Sequence, residues 1–520
     1  MKKIALILAC IMVLAAFVGC NNTPASTTPS TPKPTTPTEP NDEPEIEYID
    51  IYFDDRKSIS EVFGGVVNEF EIVSQEVTSK IVGTDEADEQ LVIYDKNTYR
   101  LTAVGTGTAV VKVNGEEKHL RVNPAPITLA IITGHSIGAG SKGNLTDSVV
   151  CEAGQAYNTT LTIQNNSAWK TDMRGSTLGF AESDRVINID CITGDAGSVK
   201  GARGVNSAFA YKWNELTGEK IWVVNCAVGG SCINQWQPDA KSKYHEYSLG
   251  AINLASEILK GEVEAGHYEY RMTVMINFSS ANFIHQNVTY DDELLEKWHN
   301  DMWQGYVDGV TVDIDGDGKN DAPSHLGYAP IWTPTLTSFD RDYHLVYYRS
   351  ASIEYPHVFL ASEFTRHWKT DADVNATFPG IKYKTQGGKT LTRPGRINQI
   401  FDEDGTHLLQ IGYNAVGMQI AENLYNHLFG EKRVKSVTLY ETSADIKGIE
   451  IGDTMTMKNG QQYKFLLITD PSGVSDYTIE LSKNLTLDSF FYVTAIARGT
   501  GTITIKRGDE VVKTVTVTVE

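Results

Sequence analysis

The sequence predicts an α/β protein in which a central domain, with helices on both faces of a sheet, is flanked by two small all-β domains. Two observations lead to this fold class. In the middle of the chain, apolar runs suited to buried strands alternate with segments of helical periodicity. On either side, β-branched residues alternate as in antiparallel strands. We therefore divide the chain into residues 1–20, 21–45, 46–125, 126–431 and 432–520.

The first 20 residues, MKKIALILACIMVLAAFVGC, are typical of an export signal. Lys2 and Lys3 precede an apolar run, Ile4–Val18, that is shorter than the roughly 20 residues of a membrane-spanning helix. The ending FVGC resembles a bacterial lipobox, which implies that Cys20 is lipidated and anchors the protein to the cell membrane. Ordinary signal cleavage, with release of a soluble protein, is the alternative. Both alternatives predict an extracytoplasmic protein.

Residues 21–45 are rich in threonine and proline and poor in apolar side chains. Such a composition cannot build a core and disfavours helix and sheet. We expect an extended, solvated tether that holds the folded domains away from the membrane surface.

The formal net charge of the chain is −21 at pH 7. A charge of this sign argues against nucleic acid or an anionic membrane surface as the partner. The negative charge of the protein is more compatible with a neutral substrate.

Four cysteines remain once Cys10 and Cys20 are set aside with the signal. They are Cys151, Cys191, Cys226 and Cys232. Their spacings match no zinc pattern, so we expect buried thiols or one disulfide and leave the pairing open.

Two distant segments, 101–122 and 493–517, repeat one pattern. Each has a Thr-Ala-apolar entry, a Gly-Thr-Gly-Thr turn and an alternating strand. The regions that they close, roughly 47–123 and 433–519, resemble bacterial Ig-like domains of group 2, which are small β-sandwiches common in surface proteins. The resemblance implies either a spacer or a weak binding module.

The central domain, 126–431, contains four apolar runs that predict buried parallel strands. These are Ile127–Ile132, Ile221–Val224, Met272–Ile276 and His357–Leu360. Ligands of such sheets bind beyond the carboxyl ends of the strands, so the residues that follow each run are the candidates for a site.

Helical periodicity separates these runs. In SLGAINLASEILKG, Ile252, Ala255 and Leu259 fall on one face. In the last helix of the domain, apolar residues recur every four positions at Val416, Ile420, Leu424 and Leu428, and Gly430 is placed to end it.

Polar, glycine-rich segments follow the strands. Ser136 follows the first run in ITGHSIGAG, NCAVGGSCINQW follows the second, NFSSANF follows the third, and DEDGTH precedes the last helix. A serine becomes a nucleophile when a base takes its proton and a third group orients the base. Asp404 stands three residues before His407, so one loop could supply both partners.

In this order the segments resemble those of the SGNH (GDSL-like) hydrolase superfamily. VGGSCINQW is similar to the Gly-Gly-Thr-x-Ile-x-x-Trp of its sialate O-acetylesterase and acetylxylan esterase branch. The resemblance implies a three-layer αβα, flavodoxin-like hydrolase that removes acyl groups, most often acetyl from a sugar, without a catalytic metal. By position, Ser136 matches the nucleophile, His407 the general base and Asp404 its orienting acid. The backbone N–H groups of Ser136 and Gly230 match an oxyanion hole.

The chain departs from the branch at the segment that would supply a third oxyanion donor. The branch has Gln-Gly-Glu after strand three, whereas this chain has Phe278-Ser279-Ser280. We expect Asn282 to serve, since it lies past the strand end in a Ser-Ala-Asn that can stand for the superfamily's Gly-x-Asn. Asn277 is the alternative.

Two neighbours of the motifs have structural interpretations. The branch has Gly-Gln-Ser-Asn around the serine, whereas His135 and Ile137 flank Ser136 here. We expect His135 to be a packed or solvated neighbour rather than a catalytic group. Trp236 is expected to pack beneath the site rather than to bind sugar.

A separate signal, VDIDGDGKNDAPSH, suggests a cation loop at 313–324. Carboxylates and a glycine match positions 1, 3, 5, 6 and 9 of a calcium loop, at Asp313, Asp315, Asp317, Gly318 and Asp321. The twelfth position is Ser324 instead of glutamate. We predict a structural Ca²⁺ with no part in catalysis, or else an acidic surface turn.

Two functions fit these observations. The first is a cell-surface serine esterase that removes acetyl groups from an oligo- or polysaccharide and needs no cofactor for catalysis. The second is a lipoprotein of the same fold that has lost activity and binds carbohydrate or acts in adhesion. The retained serine and Asp-x-x-His favour the enzyme.

Overall fold

The computed structural model describes most of the chain after residue 45. The described ranges are 46–144, 146–149, 160–161, 185–186, 204–278, 292–329, 351–362, 368, 370–377, 382–384, 389–392, 396–404, 407–430, 433–441, 449–488 and 492–520. The signal, Cys20, the tether and Asn282 lie outside them, as do Cys151 and Cys191. No helix within these ranges is long and apolar enough to cross a membrane.

The N-terminal region forms two small sheets around one core. Its elements are β1 (Tyr48–Tyr52), β2 (Arg56–Ser58), α1 (Ile59–Phe63), β3 (Phe70–Val77), β4 (Val92–Asp95), β5 (Arg100–Ala103), β6 (Gly107–Val113) and β7 (Glu116–Asn123). The strand orders are β1-β7-β6-β3 and β2-β5-β4. Alternate apolar side chains, among them Val111, Leu120 and Val122, are buried between the sheets.

The central region is built on parallel strands and helices. Its elements are β8 (Ala125–Gly134), β9 (Thr160–Leu161), β10 (Arg185–Val186), α2 (Asn206–Thr217), β11 (Lys220–Asn225), α3 (Tyr244–Glu264), β12 (Tyr268–Phe278), α4 (Asp292–Gly309), β13 (His325–Tyr328), β14 (Val358–Leu360), α5 (Asp371–Thr377), β15 (Lys382–Lys384), β16 (Thr390–Thr392) and α6 (Gln410–Phe429). Single 3₁₀ turns cover Ile233–Trp236 and Ile397–Gln399. Five strands form one parallel sheet in the order β11-β8-β12-β13-β14.

Helices cover both faces of this sheet. On one face, Ile252 and Leu259 of α3 and Met302 of α4 pack against the strands. On the other face, Phe209 of α2 and Val416 of α6 do the same. The predicted α/β arrangement is therefore present, and the four apolar runs lie in strands of the sheet, except that β14 begins at Val358, one residue after the predicted His357.

The last helix ends where the sequence predicts, but by a different mechanism. α6 stops at Phe429, and the amide of Gly430 donates to Asn426 O at 2.9 Å. Gly430 has φ −86°, so it does not use the left-handed conformation of a typical C-terminal glycine. A Cβ at this position would lie only 2.7 Å from Asn426 O, so close packing is what requires glycine.

The C-terminal region repeats the strand order of the N-terminal one. Its strands are β17 (Ser436–Glu441), β18 (Ile449–Glu450), β19 (Thr454–Met457), β20 (Gln462–Asp470), β21 (Thr478–Leu481), β22 (Leu485–Leu487), β23 (Tyr492–Ala495), β24 (Gly499–Arg507) and β25 (Glu510–Val519). One sheet has the order β19-β25-β24-β21, which parallels β1-β7-β6-β3 in both order and strand direction. The sequence repeat thus corresponds to β5 to β7 and β23 to β25.

Candidate active site

Ser136 begins the turn that follows the central strand β8. The turn is held by three amides, which donate from Ala139 to His135 O, from Gly140 to Ile137 O and from Ser141 to Ser136 O, each at 3.0 Å. Ser136 is half-buried between buried neighbours. Its hydroxyl is therefore held in a fixed position at the carboxyl end of the sheet.

His407 and Asp404 lie on the loop that precedes α6, and His407 reaches Ser136 from there. Nε2 of His407 lies 3.0 Å from Ser136 Oγ, across 271 residues of sequence. Its Nδ1 lies 2.7 Å from Asp404 Oδ2, and its amide donates to Asp404 Oδ1 at 2.9 Å. Because a carboxylate only accepts, we assign the imidazole proton to Nδ1, which leaves Nε2 free to take the serine proton.

The loop itself is closed by backbone pairing. The amide of Asp402 donates to His407 O at 2.9 Å, and Phe401 and Leu408 form an antiparallel bridge. Lys142 directly follows the turn that begins at Ser136, and its Nζ lies 3.1 Å from Asp402 Oδ2. The turn that carries the serine and the loop that carries the base are thereby joined directly.

The segment after β11 runs alongside Ser136. The amide of Val228 donates to Gly134 O at 2.7 Å, and the Ser231 hydroxyl donates to the same oxygen at 3.0 Å. A Cβ on Gly229 would lie 3.9 Å from the Cβ of Ser136. The next amide in the chain is that of Gly230, whose φ of +75° strains any side-chain-bearing residue. The predicted donor Gly230 therefore follows directly on a residue that adjoins the serine.

Asn225 has a role that sequence reasoning missed. Its buried Nδ2 donates to Gly138 O at 2.9 Å and to Asn206 Oδ1 at 3.1 Å, while its Oδ1 accepts from the Ala227 amide at 3.1 Å. One amide side chain thus fixes the nucleophile turn to the start of the neighbouring loop. Its only sequence signal was its position at the end of a strand.

The two candidates for the third oxyanion donor are placed differently. Asn277 is 2% exposed, and its Nδ2 lies 3.1 Å from Met302 Sδ, in the core between β12 and α4. One contact of this amide is therefore with a helix in the core. The preferred candidate, Asn282, lies outside the described residues and stays a prediction.

His135 and Trp236 are both buried, at 7% and 0% exposure. The indole N–H of Trp236 donates to Ser231 Oγ at 2.9 Å, so the ring packs beneath the site and presents no open face. Burial lowers the pKa of His135 to about 4, and the neighbouring His407 acts in the same direction. His135 is therefore neutral wherever a histidine base can work.

The acidic loop brings three carboxylates together. One oxygen from each of Asp313, Asp315 and Asp317 lies within 4.8 Å of the others, which suits a hard cation such as Ca²⁺. Asp321 Oδ2 instead accepts from the Ile314 amide at 2.6 Å. The hydroxyl of Ser324 donates to Thr273 O at 3.1 Å, so it does not complete the set.

This loop enters β13 at its amino end, whereas Ser136 follows the carboxyl end of β8. Because the strands are parallel, the loop lies at the amino ends of the strands and the serine lies at their carboxyl ends. A cation held there would stabilise the fold without touching the site.

The two cysteines within the described ranges are buried free thiols. Cys226 and Cys232 form no disulfide, and burial raises the pKa of Cys226. Both therefore behave as small core residues.

Ser136, His407 and Asp404 have the geometry of a serine–histidine–aspartate triad. No family model and no curated protein matches the sequence. Among solved structures, the chain is similar to a carbohydrate acetylesterase from Xanthomonas citri, with 12% identity, a TM-score of 0.34, and 81% of this chain and 86% of that one covered.

Two further structures are similar at the same low level. A protein from Arabidopsis thaliana shows 13% identity and a TM-score of 0.32, over 58% of this chain and 99% of that one. An endo-β-1,4-mannanase from Thermotoga petrophila shows 10% identity and a TM-score of 0.23, over 76% and 98%. Likenesses this weak carry no argument, so a function has to rest on the geometry of the site.

Proposed function

We propose that the protein is a serine esterase that removes acetyl groups from a carbohydrate. The observation that carries the proposal is the unbroken chain from Asp404 Oδ2 through His407 to Ser136 Oγ, with contacts of 2.7 and 3.0 Å. A base within hydrogen-bond reach of a hydroxyl, itself oriented by a carboxylate, is the arrangement that activates a serine.

In the first half-reaction, Ser136 Oγ attacks the carbonyl carbon of the ester while its proton passes to His407 Nε2. The carbonyl oxygen takes the electron pair and becomes an oxyanion. When the tetrahedral intermediate collapses, the bond to the sugar oxygen breaks, and that oxygen leaves with the proton held by His407. The products are the free sugar hydroxyl and an acetyl ester of Ser136.

In the second half-reaction, His407 Nε2 takes a proton from water, and the water oxygen attacks the acetyl-serine. Collapse breaks the bond between the acyl carbon and Ser136 Oγ, which takes the proton back from His407. Acetic acid is released and ionises to acetate and a proton. Asp404 stays ionised throughout and stabilises the imidazolium that forms in each step.

The oxyanion would be bound by the backbone N–H groups of Ser136 and Gly230, with Asn282 as a third donor. A single preorganised donor contributes about 3 kcal/mol to a barrier of this kind, so the identity of the third matters to the rate. The contact between Asn277 and Met302 supports Asn282 over Asn277.

The surrounding chain fits the same proposal. Helices on both faces of the parallel sheet are consistent with the three-layer SGNH arrangement, and the shared strand order of the flanking regions supports two Ig-like domains. We further propose a lipid anchor at Cys20, which would present the enzyme at the bacterial cell surface, and a structural Ca²⁺ held by Asp313, Asp315 and Asp317, with Asp321 as a further ligand.

The test uses residues 47–520, which form one compact unit. Acetate release is measured on p-nitrophenyl acetate, acetylated xylan and O-acetylated sialic acid for the wild type, Ser136→Ala and the matched control Ser141→Ala. Only the backbone of Ser141 takes part in the turn, so this control should keep wild-type rates.

If the wild type releases no more acetate than Ser136→Ala on every substrate, the esterase proposal is refuted. Binding of the same polysaccharides without turnover would then favour an inactive carbohydrate-binding protein.

A further inference from the structure

His135, the residue before Ser136, has a buried ring nitrogen that forms no hydrogen bond with the residues that the structure describes. Its ring is 7% exposed, and Nε2 is buried without a hydrogen-bond partner among the residues that the structure describes. The other ring nitrogen is used, because Nδ1 lies 3.3 Å from the amide of Ile137.

These contacts fix the protonation of the ring. An amide N–H only donates, so Nδ1 must accept, and the single proton of a neutral imidazole then lies on Nε2. The imidazole stays neutral, because burial and, to a smaller extent, the neighbouring His407 lower the pKa of His135 to about 4. His135 therefore presents a neutral N–H donor for which the described part of the chain offers no acceptor.

A buried donor of this kind is costly to the folded state. It has lost its hydration and gained nothing in return, so an apolar ring of the same shape would pack better. Unsatisfied buried groups in folded proteins call for a specific explanation, such as a role in catalysis. The position of His135, directly before Ser136 and just past the carboxyl end of β8, supplies one.

We propose that the Nε2–H of His135 donates a hydrogen bond to the substrate's acyl oxygen as that oxygen becomes negative. This inference rests on the proposed esterase function. No proton is transferred, and the ring stays neutral through both half-reactions. His135 would act beside the backbone N–H groups of Ser136 and Gly230, and its acceptor would be present only when substrate is bound.

If His135 donates to the substrate, removal of the donor should lower activity without lowering stability. His135→Phe keeps a ring and removes the donor. We expect kcat and kcat/KM on p-nitrophenyl acetate to fall together by about 100-fold, with KM within about threefold of wild type. The thermal midpoint should stay unchanged or rise, because the unsatisfied N–H is gone. A purely structural histidine would instead lose stability and activity in parallel.

His135→Gln is compared with His135→Leu as a second pair, which keeps the test decisive should the phenylalanine variant not fold. Glutamine offers an amide donor and leucine none, so glutamine should retain at least about tenfold more kcat. Equal kcat in the two, or wild-type kcat in His135→Phe, would overturn the inference alone. Wild-type turnover no faster than that of Ser136→Ala would overturn the esterase function and this inference together.

Discussion

Lys220 on β11 and Asp55 in the N-terminal region form a buried ion pair. Nζ of Lys220 lies 2.8 Å from Asp55 Oδ1, and the side chains are 2% and 5% exposed. Lys57 binds the other carboxylate oxygen at 2.8 Å. An ion pair that is buried from solvent thus fixes the N-terminal region to β11, the edge strand of the central sheet.

Removing one partner of this pair should be strongly destabilising. Asp55→Asn removes the carboxylate that binds the buried Lys220 ammonium, and we expect the free energy of unfolding to fall by about 3–5 kcal/mol. The exposed pair Asp50–Arg121 is the control, because Asp50→Asn should cost at most about 1 kcal/mol. Urea unfolding of both variants at pH 7 measures the difference. Equal losses would contradict a role for burial.

The same pair predicts a loss of stability in acid. Burial alone would raise the pKa of Asp55, but Lys220 and Lys57 outweigh burial and lower it. A carboxyl with a lowered pKa stabilises the fold above its unfolded pKa of about 3.9, and that stabilisation is lost as pH falls through the folded value. The stability gap between wild type and Asp55→Asn should therefore shrink as pH drops below about 4. A gap that stays constant down to pH 2 would argue against this linkage.

His267 predicts a change of the opposite sign. Its Nδ1 lies 2.7 Å from Glu262 and its Nε2 2.8 Å from Asp88, while Phe53 stacks on the ring. Burial alone would lower the pKa of His267, but the two carboxylates outweigh it and raise the pKa. The stabilisation is therefore complete below the unfolded value of about 6.5 and is lost as pH rises through the folded value.

The test for His267 is urea unfolding between pH 5.5 and 9. Wild type should exceed His267→Gln in stability at the acid end, and the difference should fall as pH rises. Asp50→Asn is the control: the hydrogen bond from Arg121 holds the pKa of this exposed carboxyl below its usual range, so it stays ionised from pH 5.5 to 9 and should show no such slope. A difference that grows with pH would mean that the ring is held neutral.

Calcium should raise stability and leave turnover unchanged. If the loop binds Ca²⁺, an ion concentration of 100 times Kd would add about 2.7 kcal/mol, seen as a higher thermal midpoint than in EDTA. Asp315→Asn should abolish the shift, whereas Asp509→Asn, an exposed carboxylate in the β24–β25 hairpin, should keep it. The assay is run at a temperature well below the thermal midpoint. A kcat that is lower in EDTA than in Ca²⁺ at that temperature would contradict a purely structural ion.

Asp404→Asn tests how the base is oriented. The amide would present N–H groups to His407 and favour the wrong tautomer, with a proton facing Ser136, so kcat should fall by about 10⁴-fold. Glu403→Gln, an exposed carboxylate in the same loop, should stay within about threefold of wild type. Retention of a tenth or more of kcat in Asp404→Asn would count against the assigned role.

The relative positions of the motifs could be predicted from the sequence, because the carboxyl ends of parallel strands lie on the same side of a sheet. That rule, together with the Asp-x-x-His spacing, is enough to bring Ser136, Asp404 and His407 together. Strand β13 was missed, since four residues containing Gly327 carry no strand pattern. Packing explains that glycine: a Cβ there would lie 2.5 Å from Phe359 Cζ on the neighbouring strand.

Polar contacts between distant segments were also missed. Lys220 stands at the edge of an apolar run, where a lysine is ordinarily solvated, and its burial depends on Asp55, 165 residues away. His135 was expected to be a passive neighbour. Its burial agrees with packing. That Nε2 has no partner within the described ranges depends on distant atoms, which no local pattern specifies.

Asn225 gives the last prediction, because it joins the nucleophile turn to the adjacent loop. Asn225→Asp keeps the shape but sets a carboxylate oxygen against the carbonyl of Gly138, so both kcat and stability should fall, kcat by at least about tenfold. Asn214→Asp is the matched control, since Asn214 Nδ2 also donates to a carbonyl, that of Glu219 at 3.0 Å, but on α2. It should lose stability and keep kcat when assayed well below its thermal midpoint. Equal kcat values for the two variants would show that Asn225 supports the fold and does not position the serine.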